Sequence, residues 1–283
     1  MSVAVVTDST AYLPAELISV SDLVVVPLTV VLNGTEGLEG EEISSADVLR
    51  ALDARRVAVS TSRPAPEQFV RTYRRLLDQG ATGVVSVHLS AELSGTVDAA
   101  RLAAAEVGDD RVAVVDARST GMALGFSALA AGTAAAGGAQ LAEVRQAAVD
   151  TAARTRTFFY VDTLEFLRRG GRINAASALL GTALSVKPIL HVVDGTIVLK
   201  DKVRTTSRGL NRLVDLAVQA AADTEVDIAV HHLGMPQRAA ELVEALTARL
   251  GTQLVDCYTA DVGAVVAAHT GPGLAGVVVH RRS

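Results

Sequence analysis

The chain has 283 residues, 49% hydrophobic and 20% charged, with 26 Lys and Arg against 31 Asp and Glu for a net charge of −5. That balance suits one large or two ordinary globular domains, and it excludes wholesale disorder and a basic field able to attract a nucleic-acid backbone. The lone cysteine, Cys257, makes neither an internal disulfide nor a zinc site by itself, the opening Met1 to Asp8 has no basic leader, and the most apolar run, 23–32, is broken by Pro27 and Thr29. A reducing cytoplasm is therefore expected, with no export and no membrane span.

Short β-branched runs alternate with longer segments of helical period, the pattern of an α/β protein with a largely parallel sheet. Strands are expected at 3–6, 24–30, 58–61, 84–89 and 112–115, with helices at 46–55, 66–79 and 96–106 and an Ala-rich helix from 122 to the Gly137-Gly138 pair. Ser44 or Ser45 caps the first helix; Pro64 and Pro66 precede the second, Glu67 lies in its first turn and Gly80 ends it. An amphipathic helix follows at 141–154. Beyond it come a strand at 158–161, helices at 164–169 and 175–184, and strands 185–193 and 196–203 flanking Asp194-Gly195, a strong hairpin signal. Helix 207–221, strand 228–232, helix 237–250, strand 253–257, helix 262–268 and strand 276–279 complete the chain. Two α/β domains are expected, 1–155 and 156–283, with no low-complexity linker to separate them.

Ligands of open parallel sheets sit beyond the carboxyl ends of the strands. Here those positions carry hydroxyls and acids: Thr7-Asp8-Ser9-Thr10, Thr61-Ser62, Ser90 with Ser94-Gly95-Thr96, and Asp116 with Ser119-Thr120. Any one set also reads as a loop plus a helix cap. Ser94-Gly95-Thr96 at a helix start offers hydroxyls and free N–H groups, a seat for an anion. No Lys or Arg lies between Ser90 and Thr96, so a singly charged carboxylate suits the segment better than a triphosphate. His269-Thr270-Gly271-Pro272-Gly273, after a helix, is either a C-terminal cap or a ligand contact, and Arg168-Arg169-Gly170-Gly171-Arg172 is either a capped helix end or a seat for phosphate or an acidic partner. No metal site is expected, since His231 and His232 are adjacent on a strand and point to opposite faces. Asp116 to Gly121 approaches the Gly-x-Ser-x-Gly elbow but has Ala117 in place of the first glycine. A serine esterase or acyl hydrolase using Ser94 or Ser119 is therefore an alternative reading, and a binding protein for a non-lipid regulator is a third.

Taken in order, Thr7-Asp8-Ser9-Thr10 with Leu13-Pro14, Thr61-Ser62-x-Pro64-x-Pro66, Leu93-Ser94-Gly95-Thr96, Asp116 to Gly125, Leu164 to Leu167 with Gly170-Gly171-Arg172-Ile173, Lys187-Pro188-Ile189 and the His269 to Gly273 segment resemble the DegV family. These are bacterial proteins that carry the acyl chain for a fatty acid kinase. The resemblance implies an N-terminal three-layer domain with a parallel sheet, a C-terminal domain with a mixed sheet, and a ligand cleft between them. It implies a long-chain fatty acid as ligand, its carboxylate held by Thr61, Ser62, Ser94, Gly95, His269 and Thr270, with Arg172 and Arg204 toward phosphate or a partner. It further implies a lipid-binding subunit without catalytic residues or a cofactor of its own. Its partners would be an ATP-using fatty acid kinase and an acyl-phosphate-using acyltransferase on the way to phospholipid, with no nucleic acid and at most transient membrane contact. The chain departs from the family pattern at Tyr12, where an acidic residue is usual, at Arg63 (usually polar), at Val97 (usually aromatic), and at Gly121 and Ala123 (often Ser and Gly).

Overall fold

A computed structural model describes residues 2–54, 58–173 and 186–282. It is an α/β fold of two compact units, Met1–Thr29 with Ser62–Ala153, and Val30–Thr61 with Arg154–Ser283. The stretch 30–61, read from the sequence as part of the first domain, thus belongs to the second unit. The expected helix 175–184 and the first residue of the expected strand 185–193 lie outside the described residues.

In the first unit the chain runs β1 (Ala4–Asp8), a 3-10 turn (Ser9–Ala11), α1 (Ala15–Ser21) and β2 (Leu23–Val26). The expected strand 24–30 ends at Val26 because Pro27 cannot donate to a ladder, and the chain resumes as β3 (Thr29–Leu32), β4 (Thr35–Leu38), α2 (Ser45–Asp53) and β5 (Val59–Ser62), a three-stranded sheet in the order β4-β3-β5. Asn33 and Gly34, both at positive φ (51° and 82°), make the tight turn between β3 and β4. Ser44 and Asp47 close a capping box at the start of α2.

The first unit continues with α3 (Pro66–Asp78), β6 (Val84–His88), α4 (Thr96–Val107), β7 (Val112–Asp116), α5 (Met122–Ala136) and α6 (Leu141–Arg154). Its sheet is wholly parallel in the order β2-β1-β6-β7. Val6, Phe69, Tyr73, Val84, Ala100 and Val112 form one buried cluster, which places α3 and α4 on one face of the sheet. Residues Met122 to Ala128 of α5 are all buried, the mark of a helix apolar on every side. Connections leave β1 toward β2 and β6 toward β7, so the topological switch point lies between β1 and β6.

The second unit adds β8 (Thr155–Tyr160), α7 (Glu165–Arg169), β9 (Lys187–Val193), β10 (Thr196–Val203), α8 (Thr206–Ala221), β11 (Val226–His232), α9 (Pro236–Leu250), β12 (Leu254–Asp261), α10 (Ala264–Thr270) and β13 (Ala275–Arg281). Its sheet runs β10-β9-β8-β13-β11-β12, antiparallel except for the parallel pair β11 and β12. Asp194 and Gly195, at φ 50° and 83°, turn the expected hairpin. Tyr160, Leu213, Ile228, Leu246 and Val277 lie in the core where α8 and α9 cover the sheet. α2 packs on α10, and the buried Glu39 carboxylate accepts from Val265 N at 2.7 Å in the first turn of α10, which is why the 30–61 segment belongs to this unit.

Candidate functional site

β1 and β6 end at Asp8 and His88, both fully buried. Asp8 Oδ1 accepts from Thr10 N (3.1 Å) and Thr10 Oγ1 (2.6 Å), and Oδ2 accepts from Leu89 N (3.0 Å). A carboxylate offers only acceptors, so His88 Nδ1, 3.0 Å from Oδ2, donates to it. Tyr73 donates to Ser86 Oγ at 2.8 Å, and Ser86 Oγ lies 2.7 Å from His88 Nε2. Each hydroxyl proton has one destination when Ser86 donates to Nε2. Burial pushes the Tyr73 phenol up. This Ser-His-Asp order resembles a hydrolase triad, but Ser86 and His88 have no exposed surface, so the network joins two strand ends and offers no nucleophile. Sequence reading missed it; its signal is Ser86-x-His88, two polar residues on one face of an otherwise apolar strand.

The first unit's expected ligand residues follow β6 and β7, apart from Ser62 at the end of β5. Gly95 is the N-cap of α4, and Ser94 Oγ lies 2.9 Å from Thr96 Oγ1. Ser62, exposed, donates to Arg63 O at 3.3 Å. Asp116 Oδ1 accepts from Arg118 N at 2.7 Å, and the left-handed residue of that turn is Arg118 (φ 50°), not the buried Ser119. A nucleophile elbow would place the strained conformation on the serine itself.

In the second unit, His269 and Thr270 form the last turn of α10; the sequence had placed the histidine just past a helix end. His269 Nε2 lies 2.8 Å from Thr61 Oγ1, joining residues 208 apart in the chain. Its Nδ1 is buried with no hydrogen-bond partner among the described residues and faces Gly170, where a Cβ would stand 2.4 Å away. Burial, then the charge of Arg172, push this imidazole down to about 4, so it is neutral near pH 7. With Nε2–H donating to Thr61, the orphaned atom is a lone pair and not an N–H, the less costly choice. The Thr61 proton is then available to an outside acceptor. Thr270 Oγ1 donates to Val266 O at 2.9 Å, within its own helix.

Thr61 and His269 border a recess of about 800 Å³ that Phe166, Arg169, Gly170 and Arg172 also line. Arg172 donates to Gly170 O. Arg204, exposed between β10 and α8, is not among the lining residues. The loop after α10 is held close: a Cβ at Gly271 would meet the Phe166 ring at 2.2 Å and one at Gly273 would meet Asp162 Oδ2 at 2.0 Å, while Arg238 donates to Gly273 O at 3.0 Å. Burial opposes ionisation of Asp162, but hydrogen bonds from Lys187 (2.8 Å) and Tyr160 (2.6 Å) keep its carboxyl below the usual range. Among the described residues no cluster of His, Cys, Asp and Glu is arranged to hold a metal, and no helix is long and apolar enough to cross a membrane.

These features define a two-unit α/β protein that combines an open parallel sheet with a mixed one. The family model described as "Uncharacterised protein, DegV family" matches residues 2–282. A DegV domain-containing protein of Streptomyces coelicolor is 53% identical over 280 residues, 99% of each chain, and one of Mycobacterium tuberculosis is 42% identical over 99% of this chain and 97% of its own. This chain belongs to the DegV family. Among solved structures it resembles a fatty-acid-binding DegV family protein from Thermus thermophilus (TM-score 0.93, 34% identity, 99% of this chain and 100% of that one). It also resembles DegV, a fatty acid binding protein from Bacillus subtilis (TM-score 0.89, 31% identity, all of both chains).

Proposed function

We infer that this chain binds a long-chain fatty acid and presents its carboxylate to a separate ATP-dependent kinase. The observation that carries the reading is the Thr61–His269 pair: a neutral imidazole fixes a threonine hydroxyl at 2.8 Å and leaves its proton free at a recess. That is the chemistry of a carboxylate acceptor site, and full-length relatives described as fatty-acid binders support it. Ser62, Ser94 and Gly95 are assigned to the headgroup by the family pattern. Thr270, whose proton goes to Val266, shapes the turn that carries His269.

In the proposed reaction a carboxylate oxygen of the bound acid attacks the γ-phosphorus of ATP held by the kinase. The bond from that phosphorus to the β,γ-bridging oxygen breaks, ADP leaves, and an acyl phosphate remains for an acyltransferase that feeds phospholipid synthesis. The substrate supplies the nucleophile, so this chain needs no catalytic side chain and no cofactor of its own. Its part is to orient the acid and keep water from the mixed anhydride. Arg172 serves the phosphoryl group or the kinase surface, as does Arg204.

Calorimetric titration with palmitate tests the reading. Thr61→Val and His269→Ala each weaken binding about tenfold while the melting temperature stays near that of the parent, because the first removes a polar contact to the charged headgroup and the second removes the imidazole that orients it. Unchanged affinity in both variants would remove the pair from the site.

A further inference from the structure

The segment from Ser90 to Thr96 contains no basic residue, yet the fold supplies one. A Cβ at Gly95 would stand 2.3 Å from Arg63 Nη1 and 3.3 Å from Cζ, so the guanidinium lies against the bare Cα of the residue that caps α4. Gly95 has φ −73°, a conformation open to any residue. Space for Arg63, and not backbone strain, is therefore what its missing side chain provides. Arg63 is exposed, and no carboxylate among the described residues pairs with it.

We propose that Arg63 makes the headgroup site of this chain selective for a doubly charged anion, so that an acyl phosphate is held more tightly than the free acid. The inference rests on the headgroup role proposed above for Ser62, Ser94 and Gly95. Hydroxyls and helix-terminal N–H groups suffice for one negative charge. A phosphoryl group brings a second charge and further acceptor oxygens, which the planar fork of a guanidinium meets with paired hydrogen bonds. A binding protein so equipped retains its product until an acyltransferase removes it.

The test compares two ligands with the same sixteen-carbon tail, palmitate and hexadecyl phosphate, by calorimetry on the full chain. The wild-type protein is expected to prefer hexadecyl phosphate by about fivefold or more at low salt, and to lose most of that preference as salt is raised. Arg63→Gln is expected to weaken hexadecyl phosphate about fivefold and palmitate less than about twofold, with Arg63→Lys in between. Equal losses for both ligands in Arg63→Gln, or no loss for either, would overturn the role of Arg63 while leaving fatty-acid binding intact. Failure of the wild-type protein to bind either ligand would instead overturn the function on which it rests.

Discussion

Each unit contains a hydroxyl–imidazole pair at nearly the same distance, Ser86 with His88 at 2.7 Å and Thr61 with His269 at 2.8 Å. In the first unit both groups have zero exposure, and Asp8 and Tyr73 take up the remaining valences. In the second, the pair borders a recess, and with Nε2–H as the donor the threonine proton is left over. The same residue types make a structural joint where every hydrogen bond is complete and, in the function proposed above, a ligand contact where one is left over. What distinguishes a site is unused bonding capacity facing an opening, more than residue identity.

The widest separation between the two pairs should come from Asp8→Ala. Four donors lose their acceptor in a dry core, and urea denaturation should show a loss of about 3–5 kcal/mol. A loss below about 1 kcal/mol would mean that water reaches the network.

Lowering the pH sharpens the comparison. Burial holds His231 and His269 down to about 4 in the folded chain, whereas an unfolded histidine titrates near about 6.5. Between those values the unfolded state binds more protons, so stability is complete above about pH 6.5 and is lost as pH falls toward 4. Each group contributes on the order of 1–3 kcal/mol across that window. His269→Gln should flatten part of the dependence of the urea midpoint on pH; an unchanged slope would mean that His269 does not titrate there.

Ser86→Ala should cost about 1–3 kcal/mol and leave palmitate affinity per folded molecule unaltered; weakened binding would blur the distinction between the two pairs. The smallest effect belongs to Thr7, whose buried hydroxyl has no partner among the described residues. Thr7→Val keeps the shape and removes that unmet group, so it should be neutral or stabilise by about 0.5–1 kcal/mol, and a clear loss by thermal melting would reveal a partner for the hydroxyl.

Local chemistry made much of this fold legible in the sequence. Asp194-Gly195 announced its hairpin, and Gly95 and Ser44 marked helix starts where they occur. The same turn chemistry at Asn33-Gly34 went unread, because the apolar run around Pro27 looked like one strand although proline divides it into two. The 30–61 excursion followed from that: its attachment depends on Glu39 reaching the start of α10, 226 residues away, which no local pattern encodes. The candidate site divides in the same way. Hydroxyls after strands were visible, but the pairing of Thr61 with His269 arises only from tertiary packing. Arg63 on Gly95 was hidden because the cation arrives from another segment. The Asp8–His88 contact depends on the pairing of β1 with β6, which connections of more than 70 residues conceal.

Native mass spectrometry of the freshly purified protein shows directly whether this chain carries a fatty acid. One acyl chain per molecule is expected, released as a free fatty acid on denaturation and replaceable by added palmitate. Repeated preparations with no adduct and no uptake of palmitate would contradict fatty-acid binding.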